Sequence, residues 1–158
     1  MSGSSLDRFV EAQAGGEYET ALGEMKSGRK RSHWIWYVFP QISGLGMSHM
    51  SQLYAIRDRD EAVAYLRHPV LFARLLAITT AVAEQVRAGV AVDRLMGSSI
   101  DATKLVSSLT LFGDVARGLS ESPTDANAVL GDLAEEVLIA AAAQGYPRCR
   151  HTLERLRA

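Results

Sequence analysis

Three residues with groups suited to proton transfer, carbonyl chemistry or phosphate binding, His33, Asp101 and Lys104, stand in two distinctive stretches of the sequence. The first is Gly28-Arg29-Lys30-Arg31-Ser32-His33-Trp34-Ile35-Trp36-Tyr37-Val38-Phe39-Pro40-Gln41, where a basic cluster runs directly into aromatics and holds both tryptophans of the chain. Guanidinium and ammonium groups hold phosphate oxygens, and an adjacent indole can stack on a base. In that chemistry Lys30 and Arg31 bind phosphate, Trp34 or Trp36 stacks, and His33 and Gln41 hydrogen-bond. His33 can also act as acid or base, since imidazole titrates near neutrality. The commoner use of such a segment is packing: Trp36, Tyr37 and Phe39 belong to a core, and the cations are solvated at a helix C-terminus, where positive charge is favoured.

In the second stretch Asp101 and Lys104 stand three apart, with Ser107 and Ser108 following. Asp101, Lys104 and Ser108 share one stripe of a helix whose other stripe, Leu105, Leu109 and Phe112, must face a core. A lysine beside a carboxylate in a cleft can bind phosphate, or attack a sugar carbonyl if its pKa is lowered. The ordinary alternative is an Asp cap with an exposed ion pair worth under about 1 kcal/mol. Two geometric expectations follow. Trp36 is core while Trp34 or His33 reaches a pocket, because neighbouring helical positions point in different directions. Lys104 faces the same polar cleft as His33, making Lys104, Asp101 and His33 the catalytic candidates and Lys30, Arg31, Trp34, Trp36, Gln41 and Ser108 the ligand-binding ones.

Other chemistries lack their motifs. His49, His68 and His151 do not stand with His33 at metal-ligand spacing, so neither a metal site nor a cofactor is predicted. Gly44-Leu45-Gly46 lacks the third glycine of a dinucleotide fingerprint, and there is no P-loop and no Gly-x-Ser-x-Gly elbow. With 17 basic and 18 acidic side chains, the charge is balanced, which argues against a DNA-binding protein and weakens an RNA-binding one. The single cysteine, Cys149, excludes an intramolecular disulfide and fits a reducing compartment. No stretch approaches the roughly 20 apolar residues of a membrane span, and the expected location is cytoplasmic.

The elements that must carry these residues are helical. Leu6, Phe9 and Val10 follow Ser4 and Ser5 and end at Gly15-Gly16, with residues 1–4 expected as a frayed tail. Tyr18, Ala21, Leu22 and Met25 form a stripe that stops at Gly28. Residues 32–39 are apolar on nearly every side, so periodicity leaves them as buried strand or buried helical turn. Residues 42–51 read as a loop. Asp58 and Glu61 make a capping-box-like start to a helix through Leu66, and Pro69 opens the next, which is expected to be the longest and most central. Further helices run from near Asp101 to near Gly118, from Ala126 to Gln144 and from Thr152 to Ala158. The prediction is an all-α fold: a single compact multi-helix domain of 158 residues with at least five helices and no sheet.

Five blocks, Leu6-Asp7-Arg8-Phe9, Lys30 through Gln41 with Gly44-Leu45-Gly46, Tyr54 to Asp58, Glu61-Ala62 with Tyr65-Leu66 and His68-Pro69, and Asp101 with Lys104-Leu105 and Ser107 to Phe112, resemble the bacterial family catalogued as domain of unknown function 1810. The resemblance implies a mainly helical fold, places residues 32–39 in a buried helix or turn, and brings no established reaction. It weakens near the C-terminus, where Ala142-Ala143-Gln144 stands in place of an aromatic pair before Gly145. The calpastatin label often given to that family fits poorly, since an inhibitor that folds on its target has a disordered, charged composition. A more distant similarity is to helical domains of NAD and ADP-ribose metabolism, from which no residue can be carried over. Two functions are therefore expected: an enzyme or binding domain for a small phosphorylated nucleotide-like molecule, ADP-ribose-linked or N-glycosidic, or a noncatalytic module that docks a protein through exposed aromatics.

Overall fold

A computed structural model describes residues 2–158, with side chains from Leu6 onward. Among the described residues there are ten helices and no β-strand: α1 (Ser2–Gln13), α2 (Glu17–Lys26), α3 (Ile35–Val38), α4 (His49–Leu53), α5 (Arg59–Arg67), α6 (Pro69–Arg87), α7 (Val92–Met96), α8 (Ser99–Leu119), α9 (Ala126–Ala143) and α10 (Arg150–Arg157). The all-α prediction holds. The expected tail at residues 1–4 includes Met1, which lies outside the described residues; α1 is described from Ser2, two residues ahead of the Ser4-Ser5 start.

Local chemistry sets the helix ends. The Asp58 carboxylate accepts the Glu61 N–H at 2.9 Å to open α5, and His68 Nδ1 accepts the Leu71 N–H at the start of α6, where Pro69 needs no donor partner. The cap of α8 is Ser98, whose Oγ accepts the Asp101 N–H at 3.1 Å. Asp101 is therefore not the cap expected from sequence. It lies one turn in, with its carboxylate free for other partners. The 42–51 loop was also too simple a reading, since it ends in α4 and is tied to Ile56 by a parallel bridge from Ile42.

The centre of the molecule is α8, not α6 as the sequence suggested. Every residue from Leu105 to Gly113 is buried, the polar Ser107, Ser108 and Thr110 included. α5, α7, α9 and α10 all pack against it, while α6 lies between α2 and α9. The crossing of α8 and α9 is close because Gly113 has no side chain: a Cβ there would sit 3.0 Å from that of Ala134. By length and composition α6 would suffice to cross a membrane. In the fold its apolar stripe, Leu71, Leu75, Ile78 and Val82, is core.

Candidate functional site

Glu24, near the end of α2, organises the segment that follows. Its Oε1 accepts the Arg31 N–H at 2.8 Å, the Ser32 N–H at 3.0 Å and the Trp34 indole N–H at 2.8 Å, and its Oε2 accepts the Ser32 hydroxyl at 2.5 Å. Partial burial alone would raise its pKa, but the donors from Ser32, Arg31 and Trp34 favour the anion and bring it down to about 2 from an ordinary 4.5. The stabilisation is present above the ordinary value and is lost as pH falls from about 4.5 toward 2. Allowing for solvent screening of a partly exposed group, it is worth on the order of 1–2 kcal/mol. Glu24→Gln is expected to remove that part of the acid dependence of urea unfolding. An unchanged slope between pH 5 and pH 2 would show that the charge is not what holds the segment.

With Glu24 fixing the turn, Lys30 is carried into the protein. Its side chain is 6% exposed, and its Nζ lies 2.8 Å from Asp101 Oδ2 and donates to the Ser32 carbonyl. Lys104 Nζ is 3.9 Å from the other oxygen, Asp101 Oδ1. One carboxylate on α8 thus sits between two ammonium groups. Each ammonium also stands over a tryptophan, Lys30 5.1 Å from the Trp34 ring centre and Lys104 5.1 Å from that of Trp36. The two distinctive stretches of sequence meet here, 71 positions apart from Lys30 to Asp101.

Next to Lys104 a cleft of about 310 Å³ opens, lined by Gln41, Leu45, Gly46, Ser51, Ile100, Thr103 and Lys104. Two larger grooves lie elsewhere, about 580 Å³ along Leu6, Asp60, Ala64 and Arg67 and about 470 Å³ along Ser27, Gly28, Gln85 and Arg94. Neither is lined by the aromatic segment or by Lys104.

The Gly44–Gly46 wall of the cleft is held from outside. The Ser43 carbonyl accepts from His151 Nε2 at 2.9 Å and from Arg155 Nη1 at 2.7 Å, and Arg155 Nη2 donates to the Arg57 carbonyl at 2.8 Å. Gly44 takes φ +99°, and a Cβ there would lie 2.7 Å from His151 Nε2, so only glycine lets α10 approach. Arg155→Met is expected to leave the core intact and to speed amide exchange across residues 43–47 at least tenfold. Unchanged exchange would show that the loop keeps its shape without α10.

The tryptophan assignments of the sequence are reversed. Trp34 is core at 1% exposure, with its N–H satisfied by Glu24. Trp36 is half-buried under Lys104, and its buried indole N–H has no hydrogen-bond partner. The cause is that Trp34 precedes α3 and turns inward to Glu24, a partner the sequence alone did not indicate. Lys30 is likewise a buried, paired cation and not a surface phosphate ligand. Gln41 and Lys104 do converge on one cleft. His33 and Arg31 are exposed and do not line it, so the shared cleft of Lys104 and His33 is not formed. Ser108 is fully buried with an unpartnered hydroxyl. Glu24, His151 and Arg155 are the site's contributors that the sequence reading missed. A glutamate followed by residues 31–34 carries no periodic signal, and α10 acts from over 100 positions away. Among the described residues there is no group of three His, Cys, Asp or Glu side chains able to hold a metal ion.

No curated protein matches the chain. A solved structure, that of the conserved hypothetical protein Rv1873 from Mycobacterium tuberculosis, is 38% identical, with alignment over 97% of this chain and 96% of that one and a TM-score of 0.75. The sequence profile of the family described as Protein of unknown function (DUF1810) matches residues 3–132, which contain all of Lys30, Trp34, Trp36, Gln41, Asp101 and Lys104. By that match over most of its length, the chain belongs to the DUF1810 family.

Proposed function

We propose that this protein binds a small phosphorylated, nucleotide-like molecule in the cleft between the Gly44–Gly46 loop and the first turns of α8. The observation that carries the reading is the placement of Lys104. Its ammonium borders an otherwise uncharged cleft and is held only loosely by Asp101, whose nearer partner is Lys30. A few polar groups in an apolar concavity is the usual composition of a small-molecule site. Gln41, Ser51 and Thr103 supply hydrogen-bonding groups, and Leu45 and Ile100 supply apolar walls.

Asp101 and Lys104 are the catalytic pair of an N-glycosidic variant of this reading, in which His33 has no place at the cleft. The alternative, a module that docks a protein through exposed aromatics, has less support: the exposed large apolar residues are Met47, Leu53, Val70, Ile100, Val129 and Ile139, none of them aromatic.

The test is a thermal-shift screen of the full chain against nucleotides and sugar phosphates. A ligand at about 100 times its Kd adds roughly 2.7 kcal/mol, a readily measured shift. Lys104→Met, which keeps the apolar stem and deletes the charge, is expected to abolish the shift while leaving the unliganded melting temperature nearly unchanged. Uniformly absent shifts would reject the reading.

A further inference from the structure

Resting on that reading, we infer that the cleft is built for a ligand with a single phosphate, a nucleoside monophosphate, and discriminates against pyrophosphate-containing molecules. Of the basic residues that the sequence offers as phosphate ligands, Lys30 is buried with both Asp101 and the Ser32 carbonyl as partners, and Arg31 is exposed away from the cleft. Arg155 touches the loop from outside, and its guanidinium is engaged by the Ser43 carbonyl, the Ser43 hydroxyl and the Arg57 carbonyl. Among the described residues, Lys104 is the one charged residue lining the cleft.

The local charge then matches one phosphate. Asp101 and Lys30 cancel, leaving the Lys104 ammonium as the net charge bordering the cleft. That single cation matches a phosphate monoester, which carries about −1.5 to −2 near pH 7, more closely than it matches the larger charge of a polyphosphate. A diphosphate or triphosphate ester would bring its further charges against uncharged groups, and toward the Asp101 carboxylate.

Size points the same way. At about 310 Å³ the cleft lies at the small end of ligand pockets, which run from about 300 to 1,000 Å³. A volume of that size suits a mononucleotide better than a dinucleotide, and Leu45, Ile100 and Gln41 in the lining supply apolar contact and a hydrogen-bonding amide.

Isothermal titration calorimetry of the full chain with AMP, GMP, CMP, UMP, the parent nucleosides, ADP, ATP and ADP-ribose tests the inference. At least one monophosphate is expected to bind ten or more times tighter than the matching diphosphate, triphosphate and ADP-ribose. Lys104→Met is expected to weaken that monophosphate at least tenfold and bring it level with its own nucleoside. Lys104-dependent binding in which ADP, ATP or ADP-ribose equals or exceeds the monophosphates would overturn the single-phosphate inference and leave the ligand reading standing. Binding of none of these compounds would overturn both.

Discussion

Replacing Trp34 by alanine is expected to destabilise the protein by about 3–5 kcal/mol, and Trp36→Ala by under about 2 kcal/mol. Trp34 is 1% exposed and packs near Phe39, with ring centres 6.3 Å apart, so truncation leaves a cavity that the surrounding helices cannot close. Its loss also withdraws an N–H from the Glu24 carboxylate and the ring face from Lys30. Trp34→Phe separates these contributions, since most of the volume stays while the donor goes; a cost of about 1–2 kcal/mol is expected. Trp36, half-buried and donating to nothing, has less to lose. Urea unfolding of the three variants is the measurement. If Trp36→Ala proved the more damaging of the two alanine variants, the inward placement of Trp34 would be wrong.

A loss of similar size is expected far from the cleft. Glu61 has a side chain only 1% exposed, yet it is charged. Arg8 donates to both of its oxygens, Nη2 to Oε1 at 3.0 Å and Nη1 to Oε2 at 3.3 Å, and the Arg57 N–H adds a third bond at 2.9 Å. The same guanidinium reaches the Leu53 carbonyl through Nε and the Ala55 carbonyl through Nη2. This joins α1 to the chain between α4 and α5. Removing Glu61 leaves the Arg57 N–H and a partly buried Arg8 guanidinium without their acceptor, and Glu61→Ala should cost about 3 kcal/mol. Glu61→Gln keeps an acceptor for the Arg57 N–H and should cost less. A melting temperature within a degree or two of wild type for Glu61→Ala would contradict this account, because about 1 kcal/mol already shifts a domain of this size by about 2–4 °C or more.

This network also explains why particular stretches stood out in the sequence. Leu6 to Phe9, Tyr54 to Asp58 and Glu61-Ala62 carry its members, while Lys30 to Gln41 and Asp101 to Phe112 carry the Lys30–Asp101–Lys104 group. The blocks divide between a structural cluster and the candidate site. Nothing in the residue types separates them: Arg8 with Glu61 and Lys30 with Asp101 are both largely buried ion pairs, and only the cleft beside Asp101's second partner, Lys104, tells them apart.

Helix content, most helix limits and the apolar stripes were legible in the residue order, because 3.6-residue periodicity and capping are local. The start of α5 at Asp58 and of α6 at Pro69, and the inward stripe Leu105, Leu109 and Phe112, follow from spacing alone. The central position of α8 was not legible, since how many sides of a helix are covered depends on its neighbours, here α5, α7, α9 and α10. The choice between Trp34 and Trp36 was undecided in the sequence for the same reason. It turns on the carboxylate of Glu24, which reaches Trp34 only because the chain reverses at Gly28 and carries residues 31–34 back over the end of α2. Likewise the sequence determined that Lys30, Gln41, Asp101 and Lys104 have the chemistry to hold an anion. Only the tertiary structure decided that Lys30 is sealed against Asp101 while Lys104 and Gln41 reach a common cleft, because that division depends on where α8 meets the turn after α2.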